Sequence, residues 1–233
     1  MTTRRWLVLV AALLGAALTA RLGFWQLDRA AQKLALQAAI DTEAAKPPLG
    51  NADLTEAPLH RSVVLRGSWV AERTVWLDNR PMDGRAGFYV VTPLRLAGRS
   101  DAILVQRGWA PRNQADRRQL PPLTTPAGEV EVMGRLAATP SRLYQLGDAS
   151  TGAIRQNLDA AAFGTESGLA LLPLTVVQTS ARADDGLLRH WPAPDTGLQK
   201  HYGYAFQWFA LCALILSLYV WFQLLRPRFR QPA

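Results

Sequence analysis

Residues 204–225 read YAFQWFALCALILSLYVWFQLL and carry no charge over 22 positions. A bilayer core about 30 Å thick is crossed by about 20 helical residues at 1.5 Å each. Rings gather at both ends of the run: Tyr202, Tyr204 and Trp208 at one, Tyr219, Trp221 and Phe222 at the other. Amphipathic rings settle at membrane–water interfaces, so this spacing predicts an aromatic belt. Arg226, Pro227 and Arg228 then stop the helix. The stretch predicts a transmembrane helix over 201–225.

A shorter uncharged run, WLVLVAALLGAALTA, occupies residues 6–20. It makes only about 22 Å of helix, so a span must borrow from the RLGFWQL that follows. Arg21 can snorkel to the headgroups from there. A cleavable signal peptide would need a small-x-small site, and Leu18-Thr19-Ala20 is a poor one. Gly15, Thr19 and Gly23 recur every four positions, as a helix-packing stripe would. A retained first transmembrane helix over 6–27 is therefore expected.

The chain carries 26 Lys and Arg against 18 Asp and Glu, a net charge of +8. Between Asp28 and Lys200, however, 20 basic residues face all 18 acidic ones. The remaining basic residues are Arg4, Arg5, Arg21, Arg226, Arg228 and Arg230, and most sit just outside the apolar runs. That distribution is the positive-inside bias. It predicts cytoplasmic ends (1–5 and 226–233) and residues 28–200 on the far side, the periplasm of a bacterium with the spans in its inner membrane. A nucleic-acid binder would concentrate basic charge on the folded domain, so that class is excluded. The one cysteine, Cys212, lies inside the last apolar run, which excludes a disulfide scaffold.

The middle region is long enough for one compact domain. Residues 28–46 predict a helix continuing the first span, ended by Pro47-Pro48. Short β-like runs follow at 62–69, 73–79, 87–96, 101–109, 128–138 and 169–179, separated by turn residues. Pro93 demotes the middle of the third to an edge or a bend. Residues 157–164 predict a short helix capped by Asn157, 111–128 a surface loop, and 180–200 an extended return to the membrane. Strand–helix alternation is missing, so the expected fold is two transmembrane helices flanking one mainly antiparallel β (α+β) domain, a sheet or small barrel.

The middle region offers no catalytic motif: G-x-S-x-G, a phosphate loop and H-E-x-x-H are all missing from the sequence. Asp78, just before NRPMDG, and Asp83 within it read as turn formers. His60 and His190 have no partners at informative spacing. Arg80, Arg85 and Arg107 read by default as a solvated face, with a partner-facing surface as the alternative, while Gly87 permits a tight turn and Gly108 a bulge or close backbone approach. No enzyme is expected on these residues.

Four segments recur in order: RLGFWQLDRAAQK, LDNRPMDGRAGFYVVTPL, ILVQRGWAPR and KHYGYAFQWFALCALILSLYVWF. Together they resemble the Surfeit locus protein 1 family, membrane proteins that assist assembly of haem-copper cytochrome c oxidase. The resemblance implies haem a as cofactor, oxidase subunit I and haem a synthesis or delivery proteins as partners, and the histidine before the second span, here His201, as iron ligand. An imidazole is a standard axial ligand. Tyr204 and Trp208 follow His201 at i+3 and i+7, a face suited to a porphyrin. Arg21 could pair with a haem carboxylate and Trp25 lies at similar depth. Two alternatives stay open: a protein–protein scaffold for an oxidase intermediate, and a membrane-anchored enzyme with an outer β domain. Sharing of one haem by two copies also stays open.

Overall fold

The computed structural model describes residues 3–116, 118–140, 143, 152–180, 185–192 and 197–226. The chain divides into two compact units, residues 1–39 with 194–233, and residues 40–193. Arg228 and Arg230 of the expected basic flank, and parts of the expected extended return (181–184 and 193–196), lie outside the described residues.

The first unit is a helix pair. Helix α1, Thr3–Ala45, runs unbroken through the first apolar run and the expected 28–46 helix. It ends before Pro47-Pro48, since a residue preceding proline leaves the helical region. Helix α3, Leu198–Tyr219, continues into a π-helical turn over Val220–Leu225. Both are long and apolar enough to cross a membrane by length and composition. The buried positions of α1 are Ala16, Thr19, Gly23, Gln26 and Ala30. They step by three and four, the spacing of a two-helix seam, rather than by a strict four. Thr19 and Gly23 of the expected stripe belong to this seam, while Gly15 sits beside it near Ile215. The Phe209 ring lies against Gly23 and meets Phe24 edge-on at 5.1 Å. Farther along, the Cys212 thiol donates to the Ala16 carbonyl at 3.4 Å.

The second unit is β-rich. Its strands are β1 (Ser62–Trp69), β2 (Val75–Leu77), β3 (Gly87–Leu96), β4 (Ala102–Pro111), β5 (Glu129–Ala137), β6 (Ile154–Arg155) and β7 (Leu171–Gln178). Helix α2, Ala160–Ser167, precedes β7. The order β1-β5-β7-β4-β3 returns to β1 through the pairs Gly67↔Leu96, Ser68↔Arg95 and Trp69↔Leu94, so five strands close a barrel. Strands β2 and β6 extend it outward from β3.

Two ladders depart from the antiparallel expectation: β4 pairs β7 in parallel, and so does β2 with β6. Pro93 marks a change of neighbour. Residues Tyr89–Val91 pair with β2, residues Leu94–Leu96 with β1, and proline, which has no N–H to donate, sits between.

Alternation on β1 and β5 turns Val63, Leu65, Val130, Val132 and Leu136 into the barrel, with Ile103, Val105 and Val176 completing that core. Strands β3 and β4 are buried on both faces. Leu104 points away from the interior into a second cluster with Val91, Leu158 and Phe163, roofed by α2. The cap of α2 is Asp159, whose carboxylate accepts from the Ala161 and Ala162 amides at 3.1 and 3.0 Å. Asn157, the expected cap, instead exchanges two hydrogen bonds with the backbone of Leu143. Gly87 makes no turn. It lies within β3, where a Cβ would meet the Ala110 carbonyl at 2.3 Å and the Trp109 ring at 2.4 Å.

Candidate functional site

His201 enters the helix pair in the first turn of α3. Its Nδ1 lies 2.7 Å from Oε1 of Gln26 on α1. With the amide oxygen as acceptor, Nδ1 is the donor, and a neutral imidazole in that tautomer has its lone pair on Nε2. Gln26 is 9% exposed and occupies the seam between Gly23 and Ala30. A buried amide of this kind fixes both the tautomer and the ring orientation, as the outer partner of a ligating histidine does. The sequence reading passed over Gln26, because a single glutamine in an apolar helix matches no ligand motif. Its signal was there: it is the polar residue of the 3–4 seam with the longest side chain.

The remaining predicted residues spread around the helices. The face of α3 toward α1 runs through His201, Ala205 and Cys212, with Trp208 half-buried beside it. Tyr204, at 53% exposed, points elsewhere. On α1, Arg21 and Trp25 are exposed. Arg21 sits about 7.5 Å and about 140° around the axis from Gln26. The Trp25 ring carries the Arg29 guanidinium at 5.6 Å. Among the described residues, no hydrogen bond or ring contact joins His201 to Arg21, Trp25, Tyr204 or Trp208. An apolar groove of about 410 Å³ lies between Ala11 and Ala12 of α1 and Ile215 and Leu218 of α3. It is at the other end of the pair, about 20 to 30 Å along the axis from His201.

In the β unit Asp78 and Asp83, before and within the NRPMDG segment, are turn residues. Asn79 and Asp83 have positive φ, and the Asp78 carboxylate accepts from the Asn79 amide at 2.7 Å and from Arg112 at 3.2 Å. Asp83 pairs with His190 at 2.8 Å, both exposed. Arg85 is solvated, as expected, over the Trp109 ring. Arg80 and Arg107 are not: they are 3% and 2% exposed. Burial pulls both guanidinium pKa values down, that of Arg107 to about 10. Gly108 shows both features expected of it, next to a β-bulge and so close to Leu187 that a Cβ would stand 2.7 Å away.

The SURF1 family model matches residues 13–213. A SURF1-like protein of Monosiga brevicollis is 27% identical over 223 residues, covering 85% of this chain and 81% of the relative. One from Drosophila melanogaster is 27% identical over 232 residues, covering 89% and 74%. The cytochrome oxidase assembly protein SHY1 of Saccharomyces cerevisiae is 28% identical over 115 residues, covering 46% of this chain and 30% of its own length.

Proposed function

This chain belongs to the SURF1 family, and we propose that it assists assembly of cytochrome oxidase by holding haem a on its helix pair for insertion into subunit I. The observation that carries this reading is the Gln26–His201 hydrogen bond. It directs a lone pair at Nε2, as an axial ligand requires. The donor set suits haem better than a bare ion. Porphyrin nitrogens already fill the equatorial positions of haem iron, so one oriented imidazole suffices. Among the described residues no group of three or more His, Cys, Asp or Glu is placed to hold a metal ion.

In this reading His201 is the iron ligand and Gln26 positions it. Trp25, Tyr204 and Trp208 offer rings to the macrocycle, and Arg21 offers a cation to a propionate. Bound iron would supply ligation only, since the chain's role is to hold and hand over rather than to catalyse. Both termini face the cytoplasm of a bacterial inner membrane, the β unit faces the periplasm, and proteins of haem a synthesis supply the cofactor.

The test is the absorption spectrum of the full chain purified from cells making haem a. We expect a haem a spectrum that His201→Ala abolishes. Unchanged loading in that variant removes the assignment. A colourless protein that still restores oxidase assembly would make the chain a scaffold.

A further inference from the structure

On the β3–β4 ladder the register passes from Val90↔Gly108 to Val91↔Gln106, leaving Arg107 as the extra residue of a β-bulge. A bulge re-aims its side chain, and this one is driven inward until only 2% remains exposed. The guanidinium lies over the Trp69 ring at 4.8 Å. Its Nη1 donates to the Thr125 hydroxyl at 2.7 Å and its Nη2 to the Thr124 carbonyl at 2.8 Å. Both acceptors are neutral. The Nε–H has no partner among the described residues, and neither has Oε1 of Gln178, a residue 3% exposed on β7.

Arg107, Gln178 and Trp69 line one cavity with Asp185 and Glu131 at its walls. Neither carboxylate answers Arg107. Asp185 is held by Arg189 and by the Leu187 amide, and Glu131 by Arg66 at 3.2 Å. A buried cation that meets only neutral acceptors is costly, and natural sites resolve that cost with a counter-anion. Burial has already drawn the Arg107 pKa to about 10 despite the nearby Asp185 charge.

The geometry points to Arg107 and Gln178, backed by Trp69, as a receptor for a single carboxylate group. The cavity measures about 20 Å³, room for one water-sized atom. One carboxylate oxygen enters and the rest of the group stays at the mouth. With both Nη atoms engaged, the guanidinium offers one charged N–H through Nε. Rotation of the Gln178 amide brings Nε2–H beside it, and the Ser180 hydroxyl, now accepting from Gln178 at 3.1 Å, donates as readily as it accepts. Two donors then converge on one oxygen. Tetrahedral phosphate or sulfate would need more donors and more room. The site lies wholly within the β unit and requires nothing of His201.

Melting of the full chain in detergent tests this, with sodium formate compared against sodium chloride at equal ionic strength. A second arm uses the peptide acetyl-Gly-Glu-Gly-amide, which carries its carboxylate on a side chain. Formate should give a saturable rise on the order of 5 °C that chloride does not. Arg107→Met and Gln178→Leu should each abolish it, and Gln178→Leu keeps the test valid should loss of Arg107 prevent folding. A response to the peptide alone, lost in Gln178→Leu, identifies a partner-borne carboxylate. A response to formate identifies a free one. Equal effects of formate, peptide and chloride, or a response that survives Gln178→Leu, would mean that the cavity holds only water and would overturn the proposal.

Discussion

The indole Nε1–H of Trp109 donates to the carbonyl oxygen of Arg80 at 2.7 Å, with both residues buried. This bond fastens the turn after β2 to the C-terminal end of β4. Trp109→Phe keeps a ring but removes this donor. A hydrogen bond contributes about 0.5–1.5 kcal/mol net. Denaturant unfolding of the β unit should show a loss of that size, with the m-value unchanged.

Phe163 anchors α2 over the outer face of β4 and is 4% exposed. Phe163→Ala should cost about 3–5 kcal/mol by emptying that site. Asp159→Ala removes the cap and should cost about 1 kcal/mol. Equilibrium unfolding of the two variants should rank them in that order.

Gly23 leaves no room for a side chain, since a Cβ would stand 2.8 Å from the Phe209 ring. Gly23→Leu should therefore separate the helix pair and lower the melting temperature in detergent. Phe209→Ala in the same chain should recover part of the loss. The two changes should couple by more than about 0.5 kcal/mol in a double-mutant cycle. Simple additivity would show that the ring does not set the spacing.

Gln26→Leu should loosen His201 without removing it. Loss of a partner that orients a ligating histidine weakens binding about 10- to 100-fold. Co-purified haem should fall accordingly, while Gln26→Glu, which still accepts from Nδ1, should retain it. Equal loading in Gln26→Leu would show that the ring needs no positioning.

Acid should weaken the β unit through a defined pair. The Arg99 guanidinium, at 2.7 Å from both carboxylate oxygens, holds the Asp101 pKa below its usual range. A carboxyl with a depressed folded pKa contributes stability above its unfolded pKa, about 3.9, and loses it as pH falls through the folded value. Arg155 acts in the same direction on Glu166. Unfolding followed from pH 6 down to pH 2 should show this decline, and Asp101→Asn should flatten part of it.

The positions of the longer strands were legible, that of β3 at 87–96 to the residue. Residues 128–138 alternate in sequence and form β5, while residues 62–69, a β-like run without such alternation, form β1 with alternating burial. Segment 101–109 alternates poorly because both faces of β4 are covered, one by the barrel interior and one by α2. For the same reason the parallel pairing of β4 with β7, itself expected at 169–179, could not be inferred, since a doubly buried strand carries no periodicity that marks its neighbours. Strand β6, at two residues, is too short for any pattern. Arg107 was misread because a basic residue defaults to solvent. Only its place before Gly108 and Trp109 hinted at a bulge. His201 came from a resemblance, and its partner Gln26 from the structure.

The place of β7 between β4 and β5 also sets an order of events during synthesis. Strands β1 to β5 leave the ribosome first, yet the gap between β4 and β5 waits for residues 171–178. Until they arrive, two edges of an open sheet remain unpaired, and sheet edges in that condition invite wrong partners. The segment that completes the cylinder is followed within about 20 residues by α3. Closure of the β unit and emergence of the second apolar helix therefore fall almost together in time.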